Sequence, residues 1–94
     1  MPALLIRVRV RDVDTWDRVF LEEADTRRAN GSRRERQFRS ARDDGELWLF
    51  LEWDDLFRAE LFVRSDELRA ALIRADVVDR PDYWYLNDAT PVSP

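Results

Sequence analysis

The run Glu46-Leu47-Trp48-Leu49-Phe50-Leu51-Glu52-Trp53 constrains this chain more than any other segment. Every position but its two glutamates is apolar, and Asp54-Asp55 follow at once. Eight residues is strand length, and acids directly after such a run are helix-capping residues, so the segment predicts a strand buried on both faces that hands over to a helix. A strand of that kind needs helices over one face and something equally apolar over the other. A chain of 94 residues hardly supplies both covers, because small domains bury a modest share of their surface. The sequence therefore predicts a partner subunit.

The remaining elements follow from period and punctuation. Leu4, Ile6, Val8 and Val10 alternate with Leu5, Arg7, Arg9 and Arg11, the period-two signature of a first strand with one oily and one mixed face. Asp12-Val13-Asp14 offers capping oxygens, and Val13, Trp16, Phe20 and Ala24 recur at helical spacing. That helix should stop at Asn30-Gly31, since glycine readily takes the left-handed conformation that closes a helix. Arg34 to Ser40 alternates weakly around Phe38, and Asp43-Asp44-Gly45 predicts a tight hairpin into the aromatic strand. Asp54 and Asp55 are read as caps of a helix carrying Leu56, Ala59, Leu61, Phe62 and Val63. Ser65-Asp66-Glu67 opens another, with Leu68, Ala71, Leu72 and Ala75 as its inner stripe. Tyr83-Trp84-Tyr85-Leu86 is the last strand. Strand, helix, strand, strand, broken helix, strand is the order of a ferredoxin-like α+β fold: a four-stranded antiparallel sheet with its helices on one face. Residues 1–88 are expected to form one domain and residues 89–94 a loose tail.

Composition removes many function classes. With no cysteine and no histidine, thiolate nucleophiles, imidazole bases, disulfides and the usual zinc or haem ligands are absent. Neither a metal nor another cofactor is expected. All 16 basic residues are arginine, which reads as a coding bias. The net charge of −4 and the mixing of acids with bases argue against nucleic-acid binding. Arg33-Arg34-Glu35-Arg36 with Arg39 lacks the aromatic ladder such a site uses, and reads as a solvated strand. The amino-terminal apolar run is too short for a signal peptide or membrane span, so a cytoplasmic protein without a membrane partner is expected.

The pattern Leu4-Leu5-Ile6-Arg7, Asp12-Val13-Asp14-Thr15-Trp16, Leu51-Glu52-Trp53-Asp54-Asp55, Arg58-Ala59, Ser65-Asp66-Glu67-Leu68-Arg69 and a closing aromatic strand resembles the dimeric α/β-barrel superfamily. Within it, the chain is most similar to small proteins grouped with antibiotic-biosynthesis monooxygenases and polyketide cyclases. The resemblance runs from Met1 to Asn87 and rests on structural more than catalytic motifs. It implies a homodimer whose sheets pack through their open faces, and a ligand cavity between each sheet and its own helices. Three departures stand out: Leu49 where monooxygenase relatives carry an asparagine, Phe62 where many carry a histidine, and Val8 where some cyclase-like relatives carry one. The last two argue against the haem-degrading branch.

Candidate site residues each have a plainer alternative. Trp53 matches the family's pocket tryptophan, or is simply a core aromatic; Trp16 is a pocket wall or core. Glu52, an acid in an apolar strand, is expected to pair with Arg7 or Arg9 on the neighbouring first strand. That pair either fixes dimer register or leaves Glu52 as a proton acceptor. Tyr83 and Tyr85 share one face of the last strand and are either hydrogen-bond donors to a developing oxyanion or packing residues with a wet tip. Leu49, Phe62 and Arg9 complete the expected substrate contacts. The function expected is a cofactor-independent small-molecule enzyme acting on a hydrophobic, aromatic or polyketide-like compound by oxygenation or cyclisation. The alternative is a non-catalytic dimeric ligand-binding or stress-response module of the same fold, which the apolar Leu49, Phe62 and Val8 favour.

Overall fold

The computed structural model describes residues 1–88, so the tail expected at 89–94 lies outside the described residues. The elements run β1 (Ala3–Arg9), α1 (Val13–Glu22), α2 (Ala24–Asn30), β2 (Ser32–Arg39), β3 (Glu46–Trp53), α3 (Leu56–Val63), α4 (Asp66–Arg74) and β4 (Asp82–Leu86). The strands form one antiparallel sheet in the order β2-β3-β1-β4, the expected ferredoxin-like α+β arrangement. None of the described helices is long and apolar enough to cross a membrane.

Period two decides which side chains face the helices. Leu4, Ile6, Val8 and Val10, with Leu47, Leu49, Leu51 and Trp53 of β3, are all buried there. Trp16 and Val19 of α1, Ala59 and Phe62 of α3, and Ala75 close the core over them. Each large apolar side chain so buried contributes about 1.5–3 kcal/mol. The two-sided burial expected of β3 holds for one face only within a single chain. Glu46, Trp48, Phe50 and Glu52 are half-buried on the opposite face, because none of the described elements crosses it. Beside them lie Leu5 of β1, Trp84 and Leu86 of β4 and Phe38 of β2, so this open face carries an apolar band. Trp48 and Trp84 stack there with ring centroids 5.7 Å apart.

Helix ends follow local chemistry, with two differences from expectation. Asp12 caps α1 by accepting from the Asp14 N–H at 3.3 Å. Instead of one helix to Asn30, the chain breaks at Glu23, where φ −95° and ψ 7° interrupt the helical path before α2. Gly31, at φ 123°, ends α2 as expected. A Cβ at this glycine would lie 3.0 Å from Arg58 Cδ and 3.3 Å from Trp53 Cε3, so close approach as well as backbone angle requires glycine. Asp55 alone caps α3, accepting from Arg58 N–H at 2.8 Å; Asp54 instead takes Arg33 of β2. The hairpin between β2 and β3 spans residues 40–45, a longer loop than the tight turn expected, closed by Glu46 N–H to Asp43 O at 3.1 Å.

Candidate functional site

The helix side of the sheet and the helices above it border a partly open cavity of about 50 Å³. Its floor is Ile6, Val8, Leu49, Leu51 and Tyr83 from the sheet. Trp16, Val19 and Phe20 of α1 form one wall, Phe62 of α3 contributes another side, and Leu68, Ala71 and Leu72 of α4 form the roof. The surface is almost wholly hydrocarbon and aromatic. Trp16 and Phe20 stack with centroids 5.8 Å apart and planes 24° apart, and the Trp16 indole N–H is satisfied by Gln37 Oε1 at 2.9 Å. That hydrogen bond turns the indole's polar edge toward β2 and leaves its ring for the cavity.

The expected site residues are only partly brought together. Trp16, Leu49, Phe62 and Tyr83 line the cavity. Trp53 stands behind it, fully buried, its ring 5.1 Å from that of Phe62. Its indole N–H is the single buried side-chain polar atom without a hydrogen-bond partner among the described residues, an arrangement that costs about 1–3 kcal/mol. Tyr85, on the same face as Tyr83 but one step toward the strand end, is exposed and outside the lining.

Glu52 and Arg9 belong to the open face, because strand parity points them away from the helices. The ion pair expected between Glu52 and Arg7 or Arg9 does not form. Arg7 binds Asp82, Arg9 binds Asp43 at 2.6 Å and approaches Glu46 at 3.6 Å, and the nearest cation to Glu52 is Arg34 of β2 at 4.0 Å. The register explains this: Glu52 lies opposite Ala3 of β1, whereas Arg7 and Arg9 lie opposite Trp48 and Glu46. Arg9 lines a separate polar cleft of about 210 Å³ with Arg7, Glu46, Asp79, Arg80 and Asp82. Asp43 raises the Arg9 guanidinium above its ordinary value through their hydrogen bond, and Arg9 lowers Asp43 in return.

Burial is the main reason the Tyr83 phenol is pushed up to about 12, with Tyr85 adding to the shift. At neutral pH Tyr83 is therefore a hydrogen-bond donor and not a base. No hydrogen-bond partner is found for its hydroxyl among the described residues, and since it is not one of the buried unpaired atoms it reaches solvent.

Sequence reasoning missed the polar members of the lining, Glu23, Thr26, Arg27 and Glu67. Arg27 is 5 % exposed. It donates to both carboxylate oxygens of Glu35, at 2.7 and 3.0 Å, and to Phe20 O at 2.7 Å. Its guanidinium lies 3.7 Å from the Phe20 ring centroid, and Ser32 also donates to Glu35 at 2.8 Å. A fully compensated guanidinium offers little charge to a ligand. The available signal was position: Glu23 and Arg27 fall three and seven residues after Phe20, on the inward stripe of the helical pair.

No protein-family model and no curated protein matches the chain in sequence. Solved structures match it in shape. SnoaB, a cofactor-independent oxygenase from Streptomyces nogalater, superposes with a TM-score of 0.78 at 11% identity, over 99% of this chain and 97% of that one. This chain has the fold of the antibiotic biosynthesis monooxygenases. A candidate antibiotic biosynthesis monooxygenase from Bordetella bronchiseptica gives 0.79 at 12% identity, over 95% and 97% of the two chains. Another from Caulobacter crescentus gives 0.75 at 18%, over 95% and 90%. The resemblance read from the strand and capping pattern thus extends to the whole described architecture.

Proposed function

We propose that the chain is a cofactor-independent small-molecule enzyme of the monooxygenase or cyclase type, acting on an uncharged aromatic or polyketide-like compound inside the cavity. The observation that carries this reading is the lining itself: a stacked Trp16–Phe20 pair, Phe62, aliphatic floor residues and the side chain of Tyr83. Such a surface holds a flat apolar molecule away from water, while Tyr83 donates to a developing oxyanion. Likeness in fold to SnoaB supports the same reaction class. The dimer belongs to this proposal too: a second copy covers the apolar open face, and Glu52 and Arg9 then serve that interface and not the chemistry.

The second reading, a ligand-binding module without catalysis, draws support from a lining that presents almost no polar group to act on a substrate. Pockets that enclose drug-sized ligands measure roughly 300–1,000 Å³, several times the 50 Å³ here. A three-ring substrate therefore requires outward movement of α4, which contains no fully buried residue. Oxygen uptake separates the readings. Purified protein is mixed in air with a panel of anthrones and naphthols, without added flavin or metal. Saturable uptake dependent on the protein is expected; saturable binding of the same compounds, followed by fluorescence of Trp16 and its neighbours, with no uptake supports the module.

A further inference from the structure

A cavity of about 50 Å³ is well below the roughly 150 Å³ that admits a single benzene ring, so any aromatic ligand has to displace part of the lining. The floor is poorly suited to yield, because β1 and β3 are the central strands, each paired on both sides. Among the helices that line the cavity, α1, α2 and α3 each carry buried residues and α4 carries none. The ends of α4 are nevertheless held. Ser65 accepts from Leu68 N–H at 3.1 Å and donates to Phe62 O at 2.7 Å. Past Arg74, Ala75 is buried, Val77 bridges to Val10 and Val78 N–H donates to Arg9 O at 2.8 Å. Movement is therefore a rotation about the line joining those ends, which swings Leu68 and Leu72 off the cavity. One polar contact opposes it. Among the described residues, the side chains of α4 reach another element through Arg74 alone, at 3.0 Å to Glu23 and 3.6 Å to Glu22. Both acids lie where α1 gives way to α2, so the pair ties the roof of the cavity to its wall.

Resting on the reading of this cavity as the ligand site, we infer that Arg74 is a specificity-determining residue: its ion pairs with Glu22 and Glu23 latch α4 over the cavity, and an aromatic molecule binds only as they part. The latch is present in the free protein and broken in the bound one, so it weakens binding by its own worth and does so through the rate of entry. Exit starts from a state in which the pairs are already apart. A larger ligand turns the helix further, so the latch discriminates against three fused rings more than against one. Ion pairs as exposed as these are worth a factor of about two to five.

Tryptophan fluorescence reads entry and exit when the full chain is mixed with phenol, naphthol or anthrone under nitrogen, where no oxidation intervenes. Wild type, Arg74→Gln and Arg74→Lys are compared, with thermal unfolding as a check that each is folded, and Ala71→Leu, which fills the cavity, should weaken the quenching. Arg74→Gln is expected to raise the association rate and the affinity for anthrone by about two- to fivefold with the dissociation rate unchanged, and to alter phenol binding least. Arg74→Lys keeps the charge and should stay near wild type. At 1 M salt, where the screening length shrinks to about 3 Å, wild type and Arg74→Gln should converge. Equal association rates for anthrone at low salt, or a gain in Arg74→Gln that survives 1 M salt, would overturn the latch while leaving the cavity as the ligand site. Failure of all three compounds to bind, or quenching that Ala71→Leu leaves intact, defeats the reading of the cavity itself, and the role of Arg74 falls with it.

Discussion

Arg27 shows how a charged side chain becomes internal. It occurs in a charge-rich segment, yet α2 turns it inward, where Glu35, Ser32 and the Phe20 carbonyl and ring surround it. Replacing Glu35 with leucine leaves that guanidinium buried without its countercharge. Glu35→Leu is expected to lower unfolding free energy by about 3 kcal/mol, read as a shifted urea midpoint with an unchanged slope. Tyr83 makes a second residue-scale prediction. Its folded value of about 12 exceeds the 10.0 of an unburied phenol. Below pH 10 folded and unfolded chains both keep the proton. Between 10 and 12 the unfolded chain gives it up first, so stability falls as pH rises through that window. Urea titrations at pH 9 and pH 11 should show the loss, and Tyr83→Phe should reduce it.

α4 is the element on which access depends. It roofs the cavity with Leu68, Ala71 and Leu72, none fully buried, and its last turn is tied to Glu22 and Glu23 through Arg74. Ala71→Leu should fill the space beneath it, raising stability by about 1 kcal/mol and lowering anthrone turnover about tenfold or more; melting and oxygen uptake measured on one preparation check both. Elements like this were legible where a single period governs. Leu68, Ala71, Leu72 and Ala75 spell the inward stripe of α4 at helical spacing, just as Leu4, Ile6, Val8 and Val10 spell that of β1 by alternation. What pairing decides was not legible. Register sets Arg9 opposite Glu46 rather than Glu52. An irregularity between Ser32 and Glu35 shifts how β2 meets β3, and Glu35 comes to face Arg27 while Arg34 is the cation nearest Glu52. The break at Glu23 escaped for a similar reason: glutamate is a good helix former, and nothing local announces the interruption. The cavity's aromatic members were legible because large apolar residues at helix and strand spacing have few other places to go.

At the scale of the molecule, one sheet serves two apolar compartments. Its helix side holds the core and cavity, complete within one chain. Its other side presents Phe38, Trp48, Phe50, Leu5, Trp84 and Leu86, with Trp84 41% and Phe38 45% exposed. A stable pairing buries roughly 800 Å² on each partner, an extent that a four-stranded face of this composition can provide. Arg7, held by Asp82 and lying 5.6 and 5.9 Å from the Trp48 and Trp84 ring centroids, adds a charged element that a twin must accommodate as a compensated pair. Placing a charge at the centre of the band, as in Phe50→Asp, should split the proposed dimer without touching the cavity side, because residue 50 points away from the helices. The most direct test of the two-compartment account is sedimentation equilibrium of the full chain at micromolar concentration. A single species of two chains, reduced to one by Phe50→Asp, is the predicted result; a wild-type protein that sediments as one chain would contradict it.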